Sequence, residues 1–242
     1  MAKYGFTWAV STLTMTAGIL TVISFIIHLA GFSCPEWWVG PGDNKSPFIS
    51  IGWHEACFED CRNPYCPNSH YTSFYDGCYK WTFNPWLWDD DRIRELQDWL
   101  MPDWYVLNRN LVIVGLPLGG LSAAIMMLCT CFVLGERDSS SLGSGTKDVA
   151  IEVLLYISSF LLLSSGIMCL VGVVMFYSNS SRLTWMPMPE KNHFGYSYWM
   201  VVASTVMYIL AFFCSLTAAV FKTLRRGMQK DPRYSEEMML GR

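Results

Sequence analysis

Hydrophobic residues along this chain gather into four long blocks, and the polar and charged positions lie between them. The first block runs from about Trp8 to Gly31 and contains no Asp, Glu, Lys or Arg. The second runs from about Leu111 to Leu134, and the third from about Val149 to Tyr177 with Glu152 near its start. The fourth runs from about Tyr198 to Phe221. A bilayer core roughly 30 Å thick needs about 20 apolar helical residues to cross it. Each block therefore predicts one span. Peptide groups in lipid find no water to bond, so the spans must be helices. The first block exceeds the apolar region of a cleaved signal peptide, and Phe32-Ser33-Cys34-Pro35 makes a poor cleavage site, so it reads as a retained anchor.

The polar segments then fall into place. The basic residues Lys222, Arg225, Arg226, Lys230 and Arg233 follow the fourth span, and Lys3 precedes the first. Basic flanks stay in the cytosol. An even number of spans puts both termini there, which predicts a multi-pass plasma-membrane protein with a cytosolic tail over 222–242. The Ser/Gly-rich stretch 135–148 is a flexible cytosolic linker. The segments 32–108 and 178–196 face outward. Within the larger loop, Phe48–Ile51 alternates apolar and polar residues, and Cys78–Phe83 is rich in aromatics; both predict strands. Pro41–Asn44 predicts a turn. Asp89–Leu100 opens with three acids and carries Ile93, Leu96 and Leu100 on one face, which predicts a short amphipathic helix. No other stretch can build a separate core, so residues 1–242 are expected to form one domain.

Composition sharpens this picture at two points. Hydrophobic residues make up 52% of the chain, and the net charge of −3 conceals an uneven distribution. The loop 32–108 holds twelve acidic residues against five basic ones, an excess of seven negative charges. Such a surface is solvated first of all, and it also concentrates cations. Five of the nine cysteines, Cys34, Cys57, Cys61, Cys66 and Cys78, lie in that loop. An outward loop is oxidised, so they are expected to form disulfides, with one cysteine left over. A loop of this size needs such staples to hold a fold.

The order of residues in this loop resembles a known family. Pro35-Glu36-Trp37 follows the first span, Gly52-Trp53 comes next, and Cys57 and Cys66 follow with eight residues between them. This resembles the W…GLW…C…C signature of the claudin, peripheral myelin protein and epithelial membrane protein superfamily, which includes the gamma-type channel and receptor regulators. Arg109 at the mouth of the second span, where the family carries an arginine, and Phe194–Trp199 at the opening of the fourth extend the likeness to all four spans and both loops. Gly52 stands directly before Trp53 without the family's intervening apolar residue. The end Met239–Arg242 lacks the tail by which claudins reach scaffolding domains. Both departures point to a divergent claudin-like branch.

The resemblance implies an all-α membrane fold: a left-handed four-helix bundle with a small disulfide-stapled antiparallel sheet on its outer end. It implies that Trp37 and Trp53 anchor the sheet and that Cys57 bonds Cys66, closing a short loop with roughly 2–3 kcal/mol of entropic stabilisation. A Cys61–Cys78 bond is the second expectation. It implies a protein acting by contact, in cell junctions, adhesion or barrier organisation, through copies of itself or other claudin-like proteins. The alternative is an auxiliary subunit of an ion channel or receptor.

The remaining candidates are modest. Asn179-Ser180-Ser181 is a glycosylation sequon close to the third span, and Asn44-Lys45-Ser46 is another, followed by Pro47. Cys129 and Cys131, near the inner end of the second span, are candidates for palmitoylation. Cys169, Cys214 and His28 read as packed groups inside spans. Glu152 is expected to reach water or a base such as Lys147. Gly115, Gly119, Gly120, Ala123 and Ala124 suit close helix approach, and Pro117 should kink the second span. The basic tail suits anionic lipids. His54, Glu55 and the neighbouring cysteines do not form H-E-x-x-H, so no metal site is expected, and Asp89–Asp91 read as a helix start before a calcium site. No nucleotide loop, nucleophile elbow or nucleic-acid signature occurs. The sequence thus predicts no enzyme, no cofactor, no nucleic-acid partner and no small-molecule substrate.

Overall fold

The computed structural model describes residues 2–42, 46–61, 75–80, 99–138, 144–182, 185–186 and 188–230. Four long helices carry the four apolar blocks: α1 Ala2–Ser33, α2 Asp103–Asp138, α3 Ser144–Ser180 and α4 Tyr196–Lys230. Within them Trp8–Ser33, Asp103–Leu134, Val149–Ser180 and Tyr196–Met228 are long and apolar enough to cross a membrane. The helices outrun the apolar blocks because backbone bonding, unlike solvation in lipid, continues past the first polar side chains. Asp103 in the first turn of α2 complements the positive end of that helix. Pro117 lies inside α2.

The chain forms two compact units, and each helix contributes to both. The helical unit comprises Met1–Phe25, Pro117–Gly166 and Val206–Arg242. Its core joins Ala17, Met126, Cys129, Ile151, Leu155, Ala218 and Ala219, with a second cluster of Leu162, Tyr208 and Ala211. Lipid supplies no hydrophobic drive between helices, so close packing and hydrogen bonds must hold them. Gly119 lies beneath the Tyr208 side chain and Gly120 against the Phe25 ring, as the small-residue stripe on the second span predicts.

Hydroxyls in this unit divide into two kinds. Thr12, Thr14, Thr21, Thr130, Ser164 and Thr217 each donate to the carbonyl four residues back in their own helix. Ser122 and Ser158 instead meet between α2 and α3 at 2.9 Å, and Ser159, whose hydroxyl also lies 2.7 Å from the Leu155 carbonyl of its own helix, meets Ser215 between α3 and α4 at 3.0 Å. Glu152 is also tied across helices. Its buried Oε1 accepts from Thr223 Oγ1 at 2.8 Å and from Arg226 Nη2 at 3.2 Å, while Arg226 Nη1 stands 3.2 Å from Oε2. Among the described side chains, the base that Glu152 meets is Arg226; the side chain of Lys147, the base expected, lies outside them.

The sheet-bearing unit comprises Ile26–Leu116 and Ile167–Thr205. It contains β1 Trp38–Val39, β2 Phe48–Ile51, β3 Glu55–Cys61, β4 Tyr75–Lys80 and β5 His193–Phe194, antiparallel throughout and ordered β4-β3-β2-β1-β5. The alternation read at Phe48–Ile51 is the strand β2, with Phe48 and Ile51 buried and Ile49 exposed. Of the expected strand Cys78–Phe83, Cys78–Lys80 belong to β4 and 81–83 lie outside the described residues. The expected helix over 89–100 also lies outside them, apart from Trp99 and Leu100, which are helical. In the predicted turn Gly42 adopts φ +68°, a backbone state that suits glycine. Asp43 and Asn44 lie outside the described residues.

The disulfide differs from both pairings expected. Cys57 bonds Cys78, not Cys66, and Cys78 is thereby withdrawn from Cys61. Register is the reason. β3 and β4 place Cys57 directly opposite Cys78, while Cys61 faces Tyr75. Residues directly opposite in an antiparallel pair bring their Cβ atoms within disulfide reach. Cys66 lies outside the described residues.

Candidate functional site: the anchored sheet

Aromatic residues at the base of the sheet explain how so small a sheet is held. Trp37 and Trp53 are fully buried, with ring centroids 4.3 Å apart. Trp53 meets Tyr105 of α2 at 4.9 Å, and Trp37 meets Phe176 of α3 edge-on at 5.3 Å. Trp185, from the second loop, completes the cluster against Trp104 at 4.8 Å and Phe176 at 5.9 Å. Such pairs add about 0.5–1.5 kcal/mol each beyond their area. Two of the indole nitrogens are hydrogen-bonded to backbone carbonyls. Trp37 Nε1 donates to the Gly31 carbonyl at 2.8 Å, and Trp185 Nε1 to that of Leu100 at 3.1 Å.

Gly52 shows why the signature needs a glycine before Trp53. A Cβ there would run into the backbone of Pro35. That close approach lets the Gly52 amide donate to the Glu55 carbonyl at 2.9 Å, and its own carbonyl accept from the Tyr105 hydroxyl at 2.6 Å. The two loops are joined in the same way. β5 of the second loop pairs with β1 of the first, Trp38 opposite Phe194 and Val39 opposite His193. The Gly195 amide adds a bond to the Trp37 carbonyl at 3.1 Å. The motif Pro35-Glu36-Trp37 and the motif Phe194–Trp199 are thus two sides of one contact.

The charged and titratable residues surround this anchor. Lys80 pairs with Glu55 across β3 and β4 at 3.5 Å. His54 packs its ring edge-on against Phe32 at 4.8 Å. Burial first, and then the cationic Arg109, hold the His54 imidazole below its usual pKa. Arg109 lies in α2, within electrostatic reach of His54. No group of three or more His, Cys, Asp or Glu fit to hold a metal occurs among the described residues. His28 is fully buried, with Cys169 Sγ 3.5 Å from Nε2 and 3.8 Å from Nδ1. Asn108, also fully buried, lies against Gly172, and among the described residues neither end of its amide has a hydrogen-bond partner.

Other expected sites are placed as follows. Asn179 lies in the last turn of α3, buried, with Nδ2 donating to the Met175 carbonyl at 2.7 Å, so a glycan there would require that turn to open. Of the two acylation candidates, Cys129 is buried and Cys131 exposed. Cys34 is half-buried and, among the described residues, stands outside any disulfide. Asp89–Asp91 lie outside the described residues. Trp104, Tyr105, Phe176 and Trp185 are the members of the anchor that the sequence reading missed; Trp185 is one of only two tryptophans between the third span and the tail, and that was the available signal.

A model of the PMP-22/EMP/MP20/Claudin tight junction family matches residues 22–217, from within the first span to within the fourth. The chain belongs to this family. A comparison with curated individual proteins finds no match. The family membership, the four membrane-crossing helices and the stapled sheet together make this a claudin-like, multi-pass membrane protein. In a claudin-like chain the signature residues Trp37, Gly52, Trp53 and Cys57 serve one end. Trp37, Gly52 and Trp53 tie the sheet to α2 and α3 through Tyr105 and Phe176, and Cys57 staples β3 to β4.

Proposed function

We propose that this protein acts at the plasma membrane by protein–protein contact, organising cell junctions, adhesion or a barrier, with both termini in the cytosol. One observation carries the reading, the β4 edge of the sheet. Asp76, Gly77, Cys78 and Lys80 are exposed there, and among the described residues β4 has a strand on one side only. An open edge offers N–H and C=O groups to a strand of another chain. The contacts would be made with copies of itself or with other claudin-like proteins, in surrounding lipid. The acidic excess of the loop would then raise cation concentration near such contacts. The reading is non-enzymatic and needs no cofactor, nucleic acid or small-molecule substrate.

The test is a mixed culture of cells that do and do not express a fluorescent form of the chain. The proposal expects enrichment where two expressing cells meet, compared with borders shared with a non-expressing cell. An even distribution over both borders would overturn it. A second reading, an auxiliary subunit of an ion channel or receptor, draws on Tyr196 and Trp199, which are exposed at the start of α4 and available to another protein's helices. Co-purification of a channel or receptor subunit in fixed ratio from mild detergent would install that reading in its place.

A further inference from the structure

One polar network in the helical unit opens on the lipid. Where α3 begins and α4 ends, the two helices are joined by Glu152–Arg226, Tyr156–Thr223 and Ser159–Ser215. Glu152 is buried, but Tyr156 is 39% exposed. The hydrogens of this network can be counted. The Thr223 hydroxyl has a single hydrogen, which turns toward Glu152 Oε1 at 2.8 Å and the Ala219 carbonyl at 3.1 Å. A carboxylate accepts that hydrogen more strongly than a phenol does. Tyr156 therefore donates its own hydrogen to Thr223 Oγ1, 3.1 Å away. The Tyr156 oxygen is left as an acceptor, and among the described residues no donor reaches it.

Depth narrows the choice of ligand. The spans Val149–Ser180 and Tyr196–Met228 have 32 and 33 residues. At 1.5 Å per residue each is about 48 Å long, against a hydrocarbon core of roughly 30 Å, so roughly 9 Å at either end lies among headgroups. Tyr156 stands seven residues from Val149 and Thr223 five from Met228, which is about 8–10 Å from those ends. The two hydroxyls are thus at the border where headgroups give way to hydrocarbon. Charge narrows it further. Arg226 is matched by Glu152, so these four side chains together are neutral. What they lack is a neutral hydrogen-bond donor. Deeper along the same seam the surface is apolar. Phe160, one turn along α3 from Tyr156, is 69% exposed, and Val220, one turn along α4 from Thr223, is exposed as well.

We propose that the α3–α4 seam at Tyr156 is a sterol-binding site. The sterol hydroxyl donates to the Tyr156 oxygen, and the flat ring system lies against Phe160 and Val220. Sterols are abundant membrane lipids whose only polar group is one neutral hydroxyl at this depth. A phospholipid phosphate brings acceptors, and the Tyr156 oxygen has no hydrogen left to give it. The neighbouring Lys222 and Arg225 would draw an anionic headgroup instead, and the test separates the two.

The full chain, purified in mild detergent, is titrated with radiolabelled cholesterol. Unlabelled cholesterol, cholesterol 3-methyl ether and phosphatidylserine then compete for the label. The ether keeps the shape of the sterol and loses the donor. Saturable binding of a single sterol per chain is expected, with the ether about five-fold weaker than cholesterol, as the loss of one neutral hydrogen bond implies. Tyr156→Phe should weaken cholesterol by about the same factor and leave the ether unchanged, so that the preference disappears. Phe160→Ala should weaken both sterols alike. Both side chains are exposed on the helical unit, so the variants should fold, and an unchanged melting temperature checks this. Absence of saturable binding, equal competition by cholesterol and its ether, a preference that survives Tyr156→Phe, or phosphatidylserine competing as well as cholesterol would each overturn the proposal.

Discussion

The hydroxyl of Tyr105 donates a 2.6 Å hydrogen bond to the carbonyl of Gly52, joining α2 to the turn before β3 across 53 residues of sequence. Both groups are fully buried, so neither has water to fall back on. Tyr105→Phe should therefore cost about 1–3 kcal/mol, the penalty of a buried acceptor left unmade. Trp53→Ala, which empties the space beside Tyr105, should cost about 3–5 kcal/mol. Thermal unfolding in detergent measures both, and a Tyr105→Phe protein as stable as the parent would refute the role given to this bond.

Disulfide mapping is the most direct check on the sheet. Proteolysis without reduction, followed by mass spectrometry, should yield a peptide linking Cys57 to Cys78. The double variant Cys57→Ala/Cys78→Ala should lose about 2–4 kcal/mol. A Cys57–Cys66 peptide would mean that β3 and β4 are paired in another register.

Glu152 and Arg226 hold α3 to α4. Glu152 is nearly fully buried, whereas the Arg226 side chain is 37% exposed. Arg226→Ala removes the partner of a buried carboxylate but leaves the Thr223 hydroxyl in place, so a loss of about 1–3 kcal/mol is expected, short of that for a fully buried pair. A double-mutant cycle with Glu152→Gln should show a coupling above 0.5 kcal/mol in magnitude, and additive effects would dissolve the pair.

Asn108 gives a prediction of opposite sign. Among the described residues its buried amide has no hydrogen-bond partner, and Gly172 lies against it. Asn108→Leu has nearly the same shape and brings no polar atoms, so it should stabilise the protein by about 1 kcal/mol. A drop in melting temperature would mean that the amide is satisfied by bound water whose loss is costly.

His54 links the sheet to acidity. Its folded pKa lies below its ordinary value, because burial and then Arg109 disfavour the imidazolium. The unfolded chain thus binds more protons in the window just below about pH 6.5, and stability rises with pH across that window. Acidification from pH 7.5 to 5 should lower the melting temperature. His54→Gln should flatten part of that fall, and an unchanged slope would remove His54 from the cause.

What the sequence disclosed follows from how far each signal reaches. The four helices are legible in runs of apolar residues, and β2 in the alternation of Phe48–Ile51, since both are local patterns. Trp37, Gly52 and Trp53 are legible because their spacing resembles a family. The Cys57–Cys78 bond is not, because it depends on the register of two strands separated by a long connection. The Glu152–Arg226 pair spans 74 residues and follows only from the packing of two helices. Trp185 joins the anchor from a loop whose sequence gives no period at all.

The two kinds of hydroxyl in the helical unit bear on how the protein is made. Thr12, Thr14, Thr21, Thr130, Ser164 and Thr217 have closed their bonds inside single helices, so each span can enter the bilayer by itself without a polar debt to a neighbour. Ser159 has such a bond as well, at 2.7 Å to the Leu155 carbonyl, but Ser122, Ser158 and Ser215 reach only other helices among the described residues. They become satisfied only when helices meet laterally. Biogenesis is thereby divided into an insertion stage that each span completes alone and a docking stage in which two seryl contacts register α2, α3 and α4 against one another.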